Sequence, residues 1–295
     1  MVLLMVKAFL KYLSSEKRYS RHTIQAYEKD LVQFSSFLSK EYEIQDLEES
    51  KHIHLRDWVV SLMEQDLSPR SVNRKIATLK SYYKFLLARD FIESNPATKL
   101  KPLKTSKDLP TFLKEDEISK MLDNLEFSDD FSGTRDQLLL ELFYSTGMRL
   151  SELTELKDRD ISSYEKTLKV LGKRNKERII PISNSLLLLI DRYNKRKEEM
   201  GMSSEYLILT DSGEKTYPMF IQRKVKSYLQ MVTTLSKKSP HVLRHTFATH
   251  LLNKGADLNA VKDLLGHTSL AATQVYTHNS IEKLKEAFDQ AHPKA

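Results

Sequence analysis

Ile24, Tyr27, Leu31, Phe34 and Leu38 recur at intervals of three or four residues. That period gathers all five on one side of an α-helix and does not fit the two-residue period of a strand. Arg21, Gln25 and Lys29 fall on the opposite side. The pattern returns in Ile76, Leu79, Tyr83 and Leu86, behind the helix-start signal Ser68-Pro69. Only 7 glycines and 8 prolines interrupt 295 residues, so such helices should dominate the fold. Residues 1–13, a segment from Ser20, about 54–65, and a segment from Ser68 to near Asp90 are expected to be helices. Joined by short loops, they make a small bundle.

After it comes N-P-A-T-K-L-K-P-L-K-T-S-K-D-L-P, with three prolines and four lysines, which reads as a linker. The expected division is a helical domain over 1–100, a linker over 101–110 and a second domain over 111–295.

Net charge is +7 and unevenly spread. Residues 1–69 hold 9 Lys and Arg against 11 Asp and Glu, residues 70–104 hold 9 against 2, and the remainder hold 29 against 27. The excess therefore sits on the helix after Ser68 and the segment following it. Arg70, Arg74, Lys75 and Lys84 are expected on its outer face, with Tyr82 and Tyr83 interleaved. A solvated helix face and a nucleic-acid surface both fit this composition. There are no cysteines, which excludes disulfides, thiolate zinc sites and cysteine nucleophiles. No run is long and apolar enough to span a bilayer, and the N-terminus lacks a cleavage signal. A cytoplasmic protein without a membrane partner is expected.

In the second domain, Glu115, Asp116 and Glu117 mark a helix start, and a helix over Asp136–Phe143 stops at Gly147. Arg149 sits at that break, where Glu152 or a carbonyl can orient it. The run T-L-K-V-L-G-K-R-N-K-E-R-I-I-P-I reads as a β-hairpin, with Leu168, Val170, Ile179 and Ile182 as its apolar positions and Lys173 on the turn. Two helices, about 185–200 and 219–233, flank a short expected strand, Y-L-I-L-T. The second carries Arg223 and Lys224, further candidates for phosphate contact.

Ser239 to His278 carries the densest chemistry. Ser239-Pro240 opens a helix on which His241 and Arg244, three apart, share a face. The next helix runs from about Asp257 to Gly266. His267 follows at the break, and Tyr276 lies beyond. One arginine, two histidines and a phenol in so short a span suit a phosphodiester under attack, given a second arginine and a proton donor from elsewhere.

Arg149 in T-G-M-R-L-S-E-L, Lys173 in G-K-R-N-K-E-R, His241 and Arg244 in H-V-L-R-H, His267 in L-L-G-H and Tyr276 in V-Y-T-H resemble, in order and spacing, the six active-site positions of tyrosine site-specific recombinases. The resemblance spans essentially the whole chain and is strongest to the Xer subgroup. It implies a mainly α fold, with an N-terminal four-helix SAM-like core-binding bundle. A mostly helical catalytic domain with a small antiparallel hairpin would follow.

It also implies the roles. Tyr276 attacks the scissile phosphate and releases a 5′-hydroxyl. Arg149 and Arg244 grip the non-bridging oxygens, and Lys173 protonates the leaving oxygen. His241 moves a proton, and His267 donates a hydrogen bond to phosphate. No metal, cofactor or ATP is needed, because the phosphotyrosyl ester conserves the energy of the broken bond. The implied partners are a double-stranded DNA site, a homo- or hetero-tetramer on two duplexes, and an FtsK-type DNA translocase. Ile281, Leu284 and Phe288 form an apolar stripe on a terminal helix that docks on a neighbouring subunit in this family.

Other readings differ in class. His241 and His245 are four apart, as in zinc helices, but Val242 stands where H-E-x-x-H requires Glu. A non-catalytic DNA binder has no use for Tyr276 with Lys173. A type IB topoisomerase or a mobile-element integrase would use the same chemistry. The additional arm-binding domain that some integrases carry is not expected before the first helix.

Overall fold

The computed structural model describes residues 2–105, 111–172, 177–266, 288 and 290–292. The chain forms two compact units that divide between Asp108 and Leu109.

The first unit consists of α1 (Val2–Ser15), α2 (Arg21–Tyr42), α3 (His52–Glu64) and α4 (Pro69–Ala88). The start signals act as their chemistry predicts. The Ser20 hydroxyl accepts the Thr23 N–H, and that of Ser68 accepts the Ser71 N–H, ahead of Pro69. The apolar faces of α2 and α4 meet in a core where Leu31, Phe34, Leu79 and Leu86 are fully buried. The rings of Phe34 and Trp58 lie 4.9 Å apart. Each such side chain contributes about 1.5–3 kcal/mol by leaving water.

Two expectations change here. Tyr82 is as completely buried as Tyr83, which the apolar pattern already placed inside, so neither ring can stack on bases. Their hydroxyls are taken by Glu48 at 2.8 Å and by the Leu47 carbonyl at 2.9 Å. Lys75 also faces inward and donates to Asp30 at 2.9 Å and to Gln33 at 2.5 Å. The bundle buries Asp30, and a buried carboxylate needs cations beside it. Ala97 and Leu100 belong to this core, and the Leu103 N–H donates to Asn73 at 2.7 Å.

The second unit is built around α6 (Phe131–Thr146), which is buried on nearly every side. The acidic start forms α5 (Glu115–Ser119), which runs on into a π-helical turn at Lys120–Asn124. Beyond α6 come α7 (Leu150–Glu155), α8 (Asn184–Glu199), α9 (Pro218–Val232), α10 (Pro240–Asn253) and α11 (Leu258–Leu265). Between α7 and α8 lies an antiparallel sheet in the order β1 (Ile161–Ser162), β2 (Thr167–Leu171), β3 (Glu177–Pro181). The register pairs Leu168 with Ile180 and Val170 with Arg178 on the buried face. Ile179, one of the apolar positions of the expected hairpin, pairs with Lys169 on the outer face, so β3 turns Arg178 and Ile180 inward. The expected strand Y-L-I-L-T does not form a ladder. Tyr206 and Leu209 make isolated bridges, while Leu207, Ile208 and Leu209 fill the core.

Phe288 is buried on the core of its own unit, and its ring stacks on His292 at 4.7 Å. Ile281 and Leu284 lie outside the described residues. Among the described residues, no helix is long and apolar enough to cross a membrane.

Candidate active site

The site is organised by the abrupt end of α6. Gly147 closes that helix in the left-handed conformation, φ 58°, with its N–H on the Phe143 carbonyl. A side chain there would be strained, and its Cβ would lie 2.4 Å from the Phe247 ring. The chain can therefore stop, turn and begin α7 within three residues. Arg149 falls in that turn as the N-cap of α7.

Glu152, three residues on, receives the Arg149 backbone N–H and its Nη1, both at 2.7 Å. Arg149 Nη2 reaches the Gly266 carbonyl at 3.2 Å. Both orienting groups expected from the sequence, the glutamate and a carbonyl, are thus present. Glu152 is almost wholly buried, whereas the Arg149 side chain remains 32% exposed, so part of its fork is open to an incoming anion.

Arg244 comes from the second turn of α10, whose N-cap is Ser239 with Pro240 at the first position. Its Nη1 donates to the Gly147 carbonyl and its Nη2 to the Leu265 carbonyl, the latter at 2.7 Å. His241 lies one turn earlier on α10 and is exposed.

Arg178, which the spacing of the sequence did not single out, completes the group. It is 3% exposed. Its Nη1 and Nη2 donate to Glu152 Oε1 and Oε2, both at 2.8 Å, and its Nε donates to the Leu264 carbonyl at 2.7 Å. The available signal was strand alternation, because with Val170 inside, its register partner must also point inward.

Three arginines from three elements thus bind three successive carbonyls, of Leu264, Leu265 and Gly266. These are the last two carbonyls of α11 and that of its C-cap, which lack partners inside the helix and lie at the negative end of its dipole. Gly266 adopts φ 64° and gives its own N–H to the carbonyls of Lys262 and Asp263.

Charge is crowded here. Burial, then repulsion from Arg149 and Arg178, push the Arg244 guanidinium down to about 10, with Glu152 opposing. Burial alone would raise the Glu152 carboxyl, but Arg178 and Arg149 outweigh it and hold it at about 2. At neutral pH three cations therefore face one anion, an excess suited to a phosphodiester.

Lys173, His267 and Tyr276 lie outside the described residues. Of the candidate DNA contacts, Arg70, Arg74, Lys84 and Arg223 are exposed, Lys224 is half-buried against Asp136 at 2.8 Å, and Lys75 is buried.

Comparison with known proteins agrees with this geometry. The phage integrase family pattern matches residues 111–283, and that of the phage integrase N-terminal SAM-like domain matches residues 6–90. The tyrosine recombinase XerC of Chlorobaculum tepidum is 37% identical, over 97% of this chain and 94% of its own. That of Oceanobacillus iheyensis is 38% identical, over 99% and 97%. In fold, the chain is similar to the XerH site-specific recombinase in its post-cleavage complex with a palindromic difH substrate. The TM-score is 0.77 with 22% identity, covering 97% of this chain and 94% of that one. It is also similar to a lambda integrase dimer bound to a COC' core site, with TM-score 0.68 and 20% identity over 93% and 99%. With both of its domains matched and relatives of this identity along nearly its whole length, the chain belongs to the phage integrase family, as a tyrosine recombinase of XerC-like site-specific recombination.

Proposed function

We propose that this recombinase cuts and rejoins double-stranded DNA through a 3′-phosphotyrosyl intermediate on Tyr276, and that it resolves chromosome dimers in the cytoplasm. The observation that supports this most is the convergence of Arg149 and Arg244 on the end of α11, with excess positive charge, immediately before His267. Two planar forks there match the two non-bridging oxygens of one phosphodiester. As the phenol oxygen bonds to phosphorus, the P–O5′ bond breaks. The phenol proton passes by way of His241, and Lys173 supplies a proton to the departing 5′ oxygen. A free phenol, with pKa near 10, is only about 0.1% ionised at neutral pH, so proton removal must accompany attack. The 5′-hydroxyl of another strand reverses the same step.

The exposed Arg70, Arg74 and Lys84 on α4 contact phosphates of the duplex, as do Arg223 on α9 and its neighbour Lys224. Lys75 contributes by holding Asp30, which in turn orients Arg74. Four subunits act on two duplexes, and in that assembly the terminal segment, whose Phe288 is buried on its own unit in the single chain, is exchanged onto a neighbour. An FtsK-type translocase is the activating partner.

The test uses a duplex site selected by binding from a random-sequence library and remade with a nick beside the cleavage position. A covalent adduct should form in EDTA with the unaltered protein and fail with Tyr276→Phe, which still binds. Adduct formation by Tyr276→Phe, or dependence on a divalent metal, would overturn the reading. Strand exchange between two duplexes then distinguishes a recombinase acting on paired sites from a swivelling activity on one.

A further inference from the structure

Arg178 is a buried guanidinium, and no role for it follows from the chemistry above. It is too enclosed to meet DNA. Yet it occupies both oxygens of Glu152, the same two atoms that hold the backbone and side chain of Arg149. It also holds the first of the three carbonyls that the arginines share. We propose that Arg178 is a positioning residue that saturates Glu152, so that Arg149 keeps its charge and its outer edge for the scissile phosphate. The proposal rests on the reading that Arg149 and Arg244 hold that phosphate.

Arg178 and Glu152 form a bidentate pair, each nearly without solvent exposure, and together they are neutral. What remains is Arg149 and Arg244, two charges for two non-bridging oxygens. If Arg178 loses its charge, the Glu152 carboxylate becomes the undivided partner of Arg149. The free charge falls to one, and the Arg149 fork closes onto Glu152. Arg178 also packs on the chain reversal after α11, since a Cβ at Gly266 would lie 3.1 Å from its Cδ. The carbonyls that aim Arg149 and Arg244 therefore depend on it as well.

A charge role and simple bracing respond differently to the charge of the substrate. On the nicked duplex, Arg178→Met should slow single-turnover cleavage by about 100-fold, the scale of losing one preorganised charge contact. With a methylphosphonate at the scissile position, one anionic oxygen is gone and less positive charge is needed, so the same variant should lose less than about 10-fold. Adding Glu152→Gln to Arg178→Met removes the competing anion and should recover most of the lost rate on ordinary DNA. Arg178→Lys, which keeps the charge, should fall between the unaltered protein and Arg178→Met.

Equal slowing on both substrates, or no recovery with Glu152→Gln, would overturn the proposal. If Arg178→Met does not fold, the Arg178→Lys variant and the double variant decide on the same two substrates. Arg149→Ala serves as the control. If it fails to discriminate phosphate from methylphosphonate, the phosphate-binding reading is at fault rather than the role of Arg178.

Discussion

Arg178 grips Glu152 with two parallel hydrogen bonds of 2.8 Å, inside a site where neither side chain reaches water. The pair is the fixed point from which Arg149 and the end of α11 are set.

Its contribution depends on pH with a definite sign. The folded carboxyl lies near 2, below its ordinary 4.5, so it stabilises the fold fully above about pH 4.5. That stabilisation is lost as pH falls through 4.5 towards 2 and is on the order of 3 kcal/mol. Denaturant unfolding of Glu152→Gln should show a deficit at pH 7 that narrows steadily below pH 4.5. A deficit that grows on acidification would contradict the arrangement. Glu152→Ala, which strands Arg178, should cost about 3–5 kcal/mol at pH 7.

The basic helix α4 should separate into two kinds of cation. Lys84 is exposed, so Lys84→Ala should leave the denaturant midpoint unchanged and reduce the slope of log affinity against log salt by about 1. Lys75 is buried on Asp30 and lies 5.8 Å from the Trp58 ring centre, so Lys75→Ala should lower stability by about 2–4 kcal/mol. Equilibrium unfolding and salt-dependent binding by anisotropy measure the two effects.

Gly147→Ala should be costly out of proportion to one methyl group. It forces a side chain into a left-handed turn against the Phe247 ring, at about 2–4 kcal/mol. Because Arg244 binds the Gly147 carbonyl, the cleavage rate should fall further than residual folding explains. The check is the single-turnover rate at a temperature where the variant is fully folded.

Phe288 tests the terminal segment. In the isolated chain it is buried on its own core, so Phe288→Ala should destabilise the monomer by about 3–5 kcal/mol. If the segment instead sits on a neighbour in solution, unfolding of the dilute monomer will be unaffected and assembly alone will change. Truncation after Ser280 removes Phe288 too, so it should lower stability by a similar amount, and at a temperature where the variant stays folded it should abolish recombination and retain duplex binding.

Local chemistry settled much of this protein in advance. Ser20, Ser68 and Asp257 start helices because an oxygen at that position meets free N–H groups one turn on. Gly147 and Gly266 end helices because only glycine enters the left-handed region without strain. The places of Arg149, His241 and Arg244 at helix ends could be read from local signals, whereas a role for them in chemistry came from the resemblance to a family.

What spacing could not settle was the side on which a charge would lie. Lys75 and Arg178 look like surface cations in the sequence, and only the folded chain brings Asp30 and Glu152 to them from 45 and 26 residues away. Tyr82, interleaved with basic residues, looks like a surface ring until the bundle closes over it. The physical reason is common to all three. Burial of a polar group is decided by whether a partner arrives in three dimensions, and that partner is distant in the chain. The helices were therefore written locally, whereas the charge balance of the arginine site exists only once β3, α7, α10 and α11 have met.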